Sequence, residues 1–100
     1  MKILIIKNGK VEIRNENGSL ARTIGNSDAV SADFNNDQSL VVMTTITGKC
    51  EIRKENGLLI RTIGNADVIS SKWYGLDIAL TTIKGKTEIR KVNGLLIRTL

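Results

Sequence analysis

Lys49–Gly64 reads KCEIRKENGLLIRTIG, and the same phrase returns twice: Lys86–Leu100 is KTEIRKVNGLLIRTL and Lys10–Gly25 is KVEIRNENGSLARTIG. A unit that recurs at a near-constant period is the signature of a modular β or solenoid architecture. The phrase itself reads as a hairpin. Glu55-Asn56-Gly57, between Lys54 and Leu58, suits a three-residue loop of two right-handed residues and one left-handed residue, the last being glycine. Glu16-Asn17-Gly18 and Val92-Asn93-Gly94 fit the same loop. That loop predicts a register with Ile52 across from Ile60 and Glu51 across from Arg61. It also sets Glu12 across from Arg22 and Glu88 across from Arg98. Opposed charge pairs on a sheet are worth roughly 0.2–1 kcal/mol each. Their expected role is structural, setting register and protecting an edge, rather than gripping a charged ligand.

Working outward, Gly48-Lys49 follows Gly9-Lys10 by 39 residues and Gly85-Lys86 follows by a further 37. The difference falls in a turn, where Asn35–Ser39 is longer than Tyr74–Leu76. Four strands are expected per full unit. Strand A is Ala29–Phe34 or Val68–Trp73; strand B is Leu40–Ile46 or Ile78–Ile83. Strand C is Lys49–Lys54 or Lys86–Lys91; strand D is Leu58–Ile63 or Leu95–Leu100. The first unit has only B, C and D, at Lys2–Lys7, Lys10–Asn15 and Ser19–Ile24. The chain is thus expected to be one repeat domain, with units at residues 1–25 (partial), 26–64 and 65–100. Apolar residues alternate or run continuously, and no long helical period appears.

Composition fits an all-β chain. Hydrophobic residues are 41% of its 100 residues but aromatics only 3%, so Ile, Leu and Val must build the core. The β-branched Ile and Val among them pack well on a pleated surface. The formal charge of +5 permits an anionic partner without requiring one. Cys50 is the only cysteine, which excludes an intrachain disulfide and makes a reducing, intracellular compartment the expectation. The apolar run Ile3–Ile6 is too short for a signal-peptide core or a membrane span.

Catalytic signatures are missing. Without histidine there is no Ser-His-Asp or Cys-His arrangement, and one cysteine cannot make a zinc site of the usual N/S ligands. No cofactor is expected. Asp28 and Asp67 precede strand A in both full units and read as turn formers. Asp33, Asp37 and Asn35-Asn36 form a polar cluster without the spacing of a calcium loop. Cys50 occupies the place of Val11 and Thr87, a packing position. Trp73 and Tyr74 stand together near the A–B turn. They offer a stacking platform for a sugar or base, or alternatively Trp73, whose counterpart is Phe34, is a core plug and Tyr74 points the other way, toward solvent or a partner. Arg14, Arg22, Arg53, Lys54, Arg61, Arg90, Lys91 and Arg98 are basic but not interleaved with aromatics, so nucleic-acid binding is weakly supported.

The order of these features resembles a β-propeller blade of the WD-repeat type. Lys86–Leu100 is similar to the C–turn–D segment of that family, and the repeat length is near its period of about 40–45 residues. The Trp-Asp position holds Arg90-Lys91, Arg53-Lys54 or Arg14-Asn15, and no Gly-His precedes strand A, so the family's tether through those residues is missing. The resemblance implies antiparallel four-stranded meander blades that need a closed ring, typically of four to eight blades. It therefore implies completion by copies of the same chain, a homodimer preferred and a homotrimer also compatible. A closed monomer of the β-trefoil or β-prism type is the rival architecture, although the sugar-binding motifs of those lectins are absent. The function expected is a non-enzymatic binding or scaffold module acting on a protein partner. Alternatives are a small carbohydrate-binding protein using Trp73 and Tyr74, and a basic nucleic-acid binder. No membrane association is expected.

Overall fold

Each repeat of alternating apolar residues folds as an antiparallel meander, because tight turns, all but Asn35–Ser39 containing glycine, return each strand against its predecessor within the sheet. The computed structural model describes all residues from Met1 to Leu100 and contains eleven strands. Sheet 1 comprises β1 (Ile3–Lys7), β2 (Lys10–Arg14) and β3 (Leu20–Ile24). Sheet 2 comprises β4 (Ala29–Phe34), β5 (Leu40–Thr45), β6 (Cys50–Lys54) and β7 (Leu59–Ile63). Sheet 3 comprises β8 (Val68–Tyr74), β9 (Asp77–Thr82), β10 (Thr87–Arg90) and β11 (Leu96–Thr99). Strands neighbour one another in chain order within every sheet. No helix is long and apolar enough to cross a membrane.

The three sheets stack face to face and enclose two cores. Val11, Ile13 and Ile24 of sheet 1 meet Ala29, Val41 and Met43 of sheet 2. Val42, Cys50, Ile52 and Ile63 of sheet 2 meet Val68, Ile78 and Leu80 of sheet 3. Neighbouring residues such as Val41 and Val42 enter different cores because successive side chains point to opposite faces of a strand. A trefoil or prism would gather its repeats around one shared core; here each core lies between two successive sheets.

The C–D hairpin loop takes the expected form. The Gly57 N–H donates to the Lys54 carbonyl at 2.9 Å, the Lys54 N–H donates to the Leu58 carbonyl at 2.9 Å, and Gly57 has a φ of 96°. The register beyond it is corrected. Arg53 pairs with Leu59 but Ile52 pairs with Arg61, so Ile60 is an extra residue in a β-bulge. Ala21 and Ile97 are extra at the same point of the other hairpins. A bulge moves everything beyond it by one place. Glu51 therefore lies across from Thr62, Glu12 across from Thr23 and Glu88 across from Thr99. The expected Glu12–Arg22, Glu51–Arg61 and Glu88–Arg98 pairs do not form, because each Arg now points to the opposite face of the hairpin from its Glu.

A second contact recurs between sheets. The Ala29 N–H donates to the Gly9 carbonyl at 2.9 Å, and the Val68 N–H donates to the Gly48 carbonyl at 3.0 Å. A Cβ on Gly48 would lie 2.5 Å from the Ala66 carbonyl oxygen, so the B–C turn of one sheet abuts the segment that leads into the next.

Candidate functional site

The molecule uses one joint twice. Each sheet has a front face carrying a Glu-x-Arg pair and a back face carrying Ile13, Ile52 or Ile89. The back of sheet 1 covers the front of sheet 2, and the back of sheet 2 covers the front of sheet 3.

The acids of the hairpins find their partners on their own strand. Residues two apart on a strand share a face. Arg53 Nε donates to Glu51 Oε1 at 2.9 Å, Arg90 Nε to Glu88 Oε1 at 2.8 Å, and Arg14 Nη2 to Glu12 Oε1 at 2.6 Å. Each guanidinium also donates through Nη1, at 2.8 Å, to a turn carbonyl: Gly57, Gly94 or Gly18. The glycine turn is thus tied to the strand that precedes it. Glu51 is buried beneath sheet 1 and Arg53 is half-buried beside it, close to Gly25. The spacing Glu-x-Arg-x-x-x-Gly was visible in all three copies; the bulge that turns Arg22, Arg61 and Arg98 away from the Glu was not. Arg22 instead reaches toward the next sheet, its Nη1 3.4 Å from the Asn56 carbonyl.

The two outermost faces carry the same residue types as the internal joints. On the front of sheet 1, Ile3 and Ile5 correspond to Val41 and Met43, yet they are 45% and 37% exposed while Val41 and Met43 are buried. On the back of sheet 3, Leu100 corresponds to Ile24 and Ile63; it is 72% exposed and each of them 3%. Ile97, Arg98, Ile89 and Leu100 line a shallow cavity there with Tyr74 and Asp77.

Trp73 is held in the joint between sheets 2 and 3. Its backbone N–H donates to Asp33 Oδ2 at 3.0 Å and its indole N–H to the Asp33 carbonyl at 3.1 Å, while its ring packs against the core. Tyr74 points the other way and is 64% exposed. The structure separates the two aromatics rather than joining them in one platform. It also separates the polar cluster around them. Asp33 ties sheet 2 to sheet 3, whereas Asp37 accepts the Ser39 N–H and Asn35 Oδ1 accepts the Leu40 N–H within their turn. The Ser39 bonds hold the Asp37 carboxyl below its usual range. No group of three or more His, Cys, Asp or Glu side chains is placed to hold a metal ion. Asp28 and Asp67 lie in the connections into β4 and β8, their carbonyls accepting the N–H groups of Ile46 and Ile83 at 2.8 Å. Cys50 is fully buried, and burial pushes its thiol up to about 11, far from the range of a reactive thiolate.

No protein-family profile and no curated protein matches the sequence. Solved structures do share its arrangement. BamB from Moraxella catarrhalis superposes with a TM-score of 0.75 at 18% identity, over 98% of this chain and 32% of that one. A chain in a crystal structure of the mitotic checkpoint complex superposes with a TM-score of 0.81 at 18% identity, over 99% of this chain and 34% of that one. The chain spans about a third of the length of these neighbours. Both are β-propeller proteins. At such identity the likeness establishes fold alone, and the fold is that of β-propeller blades: three in series, the first with strands B, C and D only.

Proposed function

We propose that the chain is a non-enzymatic binding and scaffold module whose copies join head to tail, the back of sheet 3 of one copy on the front of sheet 1 of the next. The observation that carries this reading is the repetition of the internal joints at the outer faces. Ile3, Ile5, Glu12 and Arg14 stand where Val41, Met43, Glu51 and Arg53 form the front of the first joint. Ile89 and Leu100 stand where Ile52 and Ile63 form the back of the second. Apolar faces of this kind favour association when left uncovered. Such a contact is heterologous, and it yields a ring if the rotation between copies closes. A two-copy ring is the preferred assembly and three copies the alternative. A protein bound at the rim or channel of that ring is the partner class suggested by the fold; this step is fold analogy.

Solution mass tests the self-association. Light scattering from micromolar to near-millimolar concentration is expected to show twice or three times the monomer mass. Ile5→Lys is expected to return the chain to a monomer without melting it, since Ile5 is already part-exposed. A wild-type chain that stays monomeric throughout overturns the reading.

A further inference from the structure

The innermost strands of sheets 2 and 3 define a site on sheet 1. In sheet 2, β4 runs along β5 and forms the inner edge of the sheet; in sheet 3, β8 does the same for β9. In sheet 1 the corresponding strand, β1, is the edge. β1 and β2 close through a two-residue turn with Lys7 opposite Lys10, so Lys7, Ile5 and Ile3 bond to β2. The N–H and C=O groups of Lys2, Leu4 and Ile6 therefore point along the open edge.

One rung of that edge is already occupied by a strand mimic. The Lys2 N–H donates to Gln38 Oε1 at 2.9 Å, and Gln38 Nε2 donates to the Lys2 carbonyl at 2.9 Å. Gln38 holds a left-handed φ of 60° in the turn from which it does so. In sheet 2 the matching residue, Leu40, is paired in the same sense by Asn35: its N–H goes to Asn35 Oδ1 at 3.0 Å and its carbonyl accepts the Asn35 N–H at 3.1 Å. The next rungs, Leu4 and Ile6, correspond to Val42 and Thr44, which lie opposite Asp33 and Ser31.

The neighbouring strand supplies the rest of the pattern. Where β8 passes β4, the Trp73 N–H donates to Asp33 Oδ2 at 3.0 Å and the Ser71 N–H to Ser31 Oγ at 3.3 Å. The residues of β4 that match Trp73 and Ser71 are Phe34 and Ala32. Their N–H groups face the same inner side, beside the open edge of β1, with no strand next to them to supply an acceptor.

We propose that the edge of β1 is a binding site for an extended peptide segment of a partner protein. The segment adds antiparallel to β1, with a hydroxyl residue opposite Ile6 and, two residues later, a carboxylate residue opposite Leu4. The occupant's backbone pairs with Leu4 and Ile6. Its hydroxyl and carboxylate accept the N–H groups of Ala32 and Phe34, as Ser31 and Asp33 accept those of Ser71 and Trp73. It leaves the edge where Gln38 takes over at Lys2. Main-chain pairing supplies the affinity and the alternate side chains supply the selection, which is the general logic of strand addition. The site needs only sheets 1 and 2 and does not depend on head-to-tail joining.

The test uses the 100-residue chain and a fluorescein-labelled peptide with the sequence of residues 25–36, GNSDAVSADFNN. Anisotropy is expected to show saturable binding. Replacing the peptide's Ser31 and Asp33 by alanine is expected to weaken it about tenfold or more. Ile6→Pro in the chain removes an edge-facing N–H without touching the bonds to β2, and is expected to abolish binding while leaving the melting curve in place. Hydrogen exchange on the wild-type chain is expected to slow at Leu4, Ile6, Ala32 and Phe34 when the peptide is present. This readout decides the matter even if the proline variant fails to fold. Equal binding of a scrambled peptide, binding without slowing at those four amides, or no binding near about 1 mM peptide overturns the proposal.

Discussion

Glu51 and Arg53 show how one ion pair changes its worth with its surroundings. The pair lies under a neighbouring sheet, and Arg53 also holds the Gly57 carbonyl. Removing one partner of a buried pair leaves the other charge uncompensated, at a cost of about 3–5 kcal/mol. Glu51→Gln is therefore expected to lower stability by about 3 kcal/mol, read from urea unfolding. Glu12→Gln breaks the same contact where the Glu side chain is equally covered (12% exposed against 11%) but Arg14 is more open (28% against 12% for Arg53), so a smaller loss of about 2 kcal/mol is expected. Equal losses would contradict this account of the joints. Cys50 gives a prediction in pH. Its ordinary value of 9.0 rises to about 11 in the fold because burial disfavours the thiolate, with the nearby Glu51 charge acting in the same sense and a bond from Ser71 opposing it. Between those values the unfolded chain has released a proton that the folded chain retains, so stability is complete below pH 9 and falls as pH rises toward 11. Cys50→Val, the residue type found at Val11, is expected to remove that component. The check is the difference between the two proteins' melting temperatures across this window.

At the scale of elements, the strands were legible and the bulges were not. All eleven strands occur where the alternating patterns and glycine turns place them, and β4 runs from Ala29 to Phe34 as expected. The three-residue hairpin loop could also be read, because Asn-Gly and the left-handed demand of its last position are chemical facts about residues 56 and 57. Nothing in Leu59-Ile60-Arg61 marks Ile60 as the unpaired residue. It carries no glycine, and the slip shows only in the pairing itself, Arg53 with Leu59 and Ile52 with Arg61. The aromatics follow the core-plug reading rather than the shared platform: adjacent strand residues face opposite ways, so Trp73 enters a joint and Tyr74 leaves it. Asp33 as a tie between sheets was hidden because its partner is a main-chain N–H, which every residue offers. The Gly48 contact yields a test at this scale. Gly85→Ala pays only for a left-handed alanine, about 1–2 kcal/mol, since no neighbour lies within 4 Å of the added Cβ. Gly48→Ala meets the Ala66 carbonyl as well and is expected to cost measurably more. Identical melting points for the two variants would mean that the turn does not lock the sheets.

At the scale of the whole molecule, the three sheets form a stack of about 39 × 26 × 20 Å whose two ends are differently built. The front end offers Ile3, Ile5 and an ion pair; the back end offers Ile97, Arg98, Leu100 and Tyr74. If copies join through these ends, Leu100→Asp is expected to weaken assembly about as much as Ile5→Lys does, and sedimentation velocity checks it. A mixture of the two variants is more telling. Ile5→Lys spoils only the front and Leu100→Asp only the back, so each variant retains the end that the other needs. Together they can form one sound junction and no second, and the mixture is expected to stop at a pair carrying two dead ends. Because the two ends differ, growth has a direction, and either variant acts as a one-sided terminator when doped into wild-type chains.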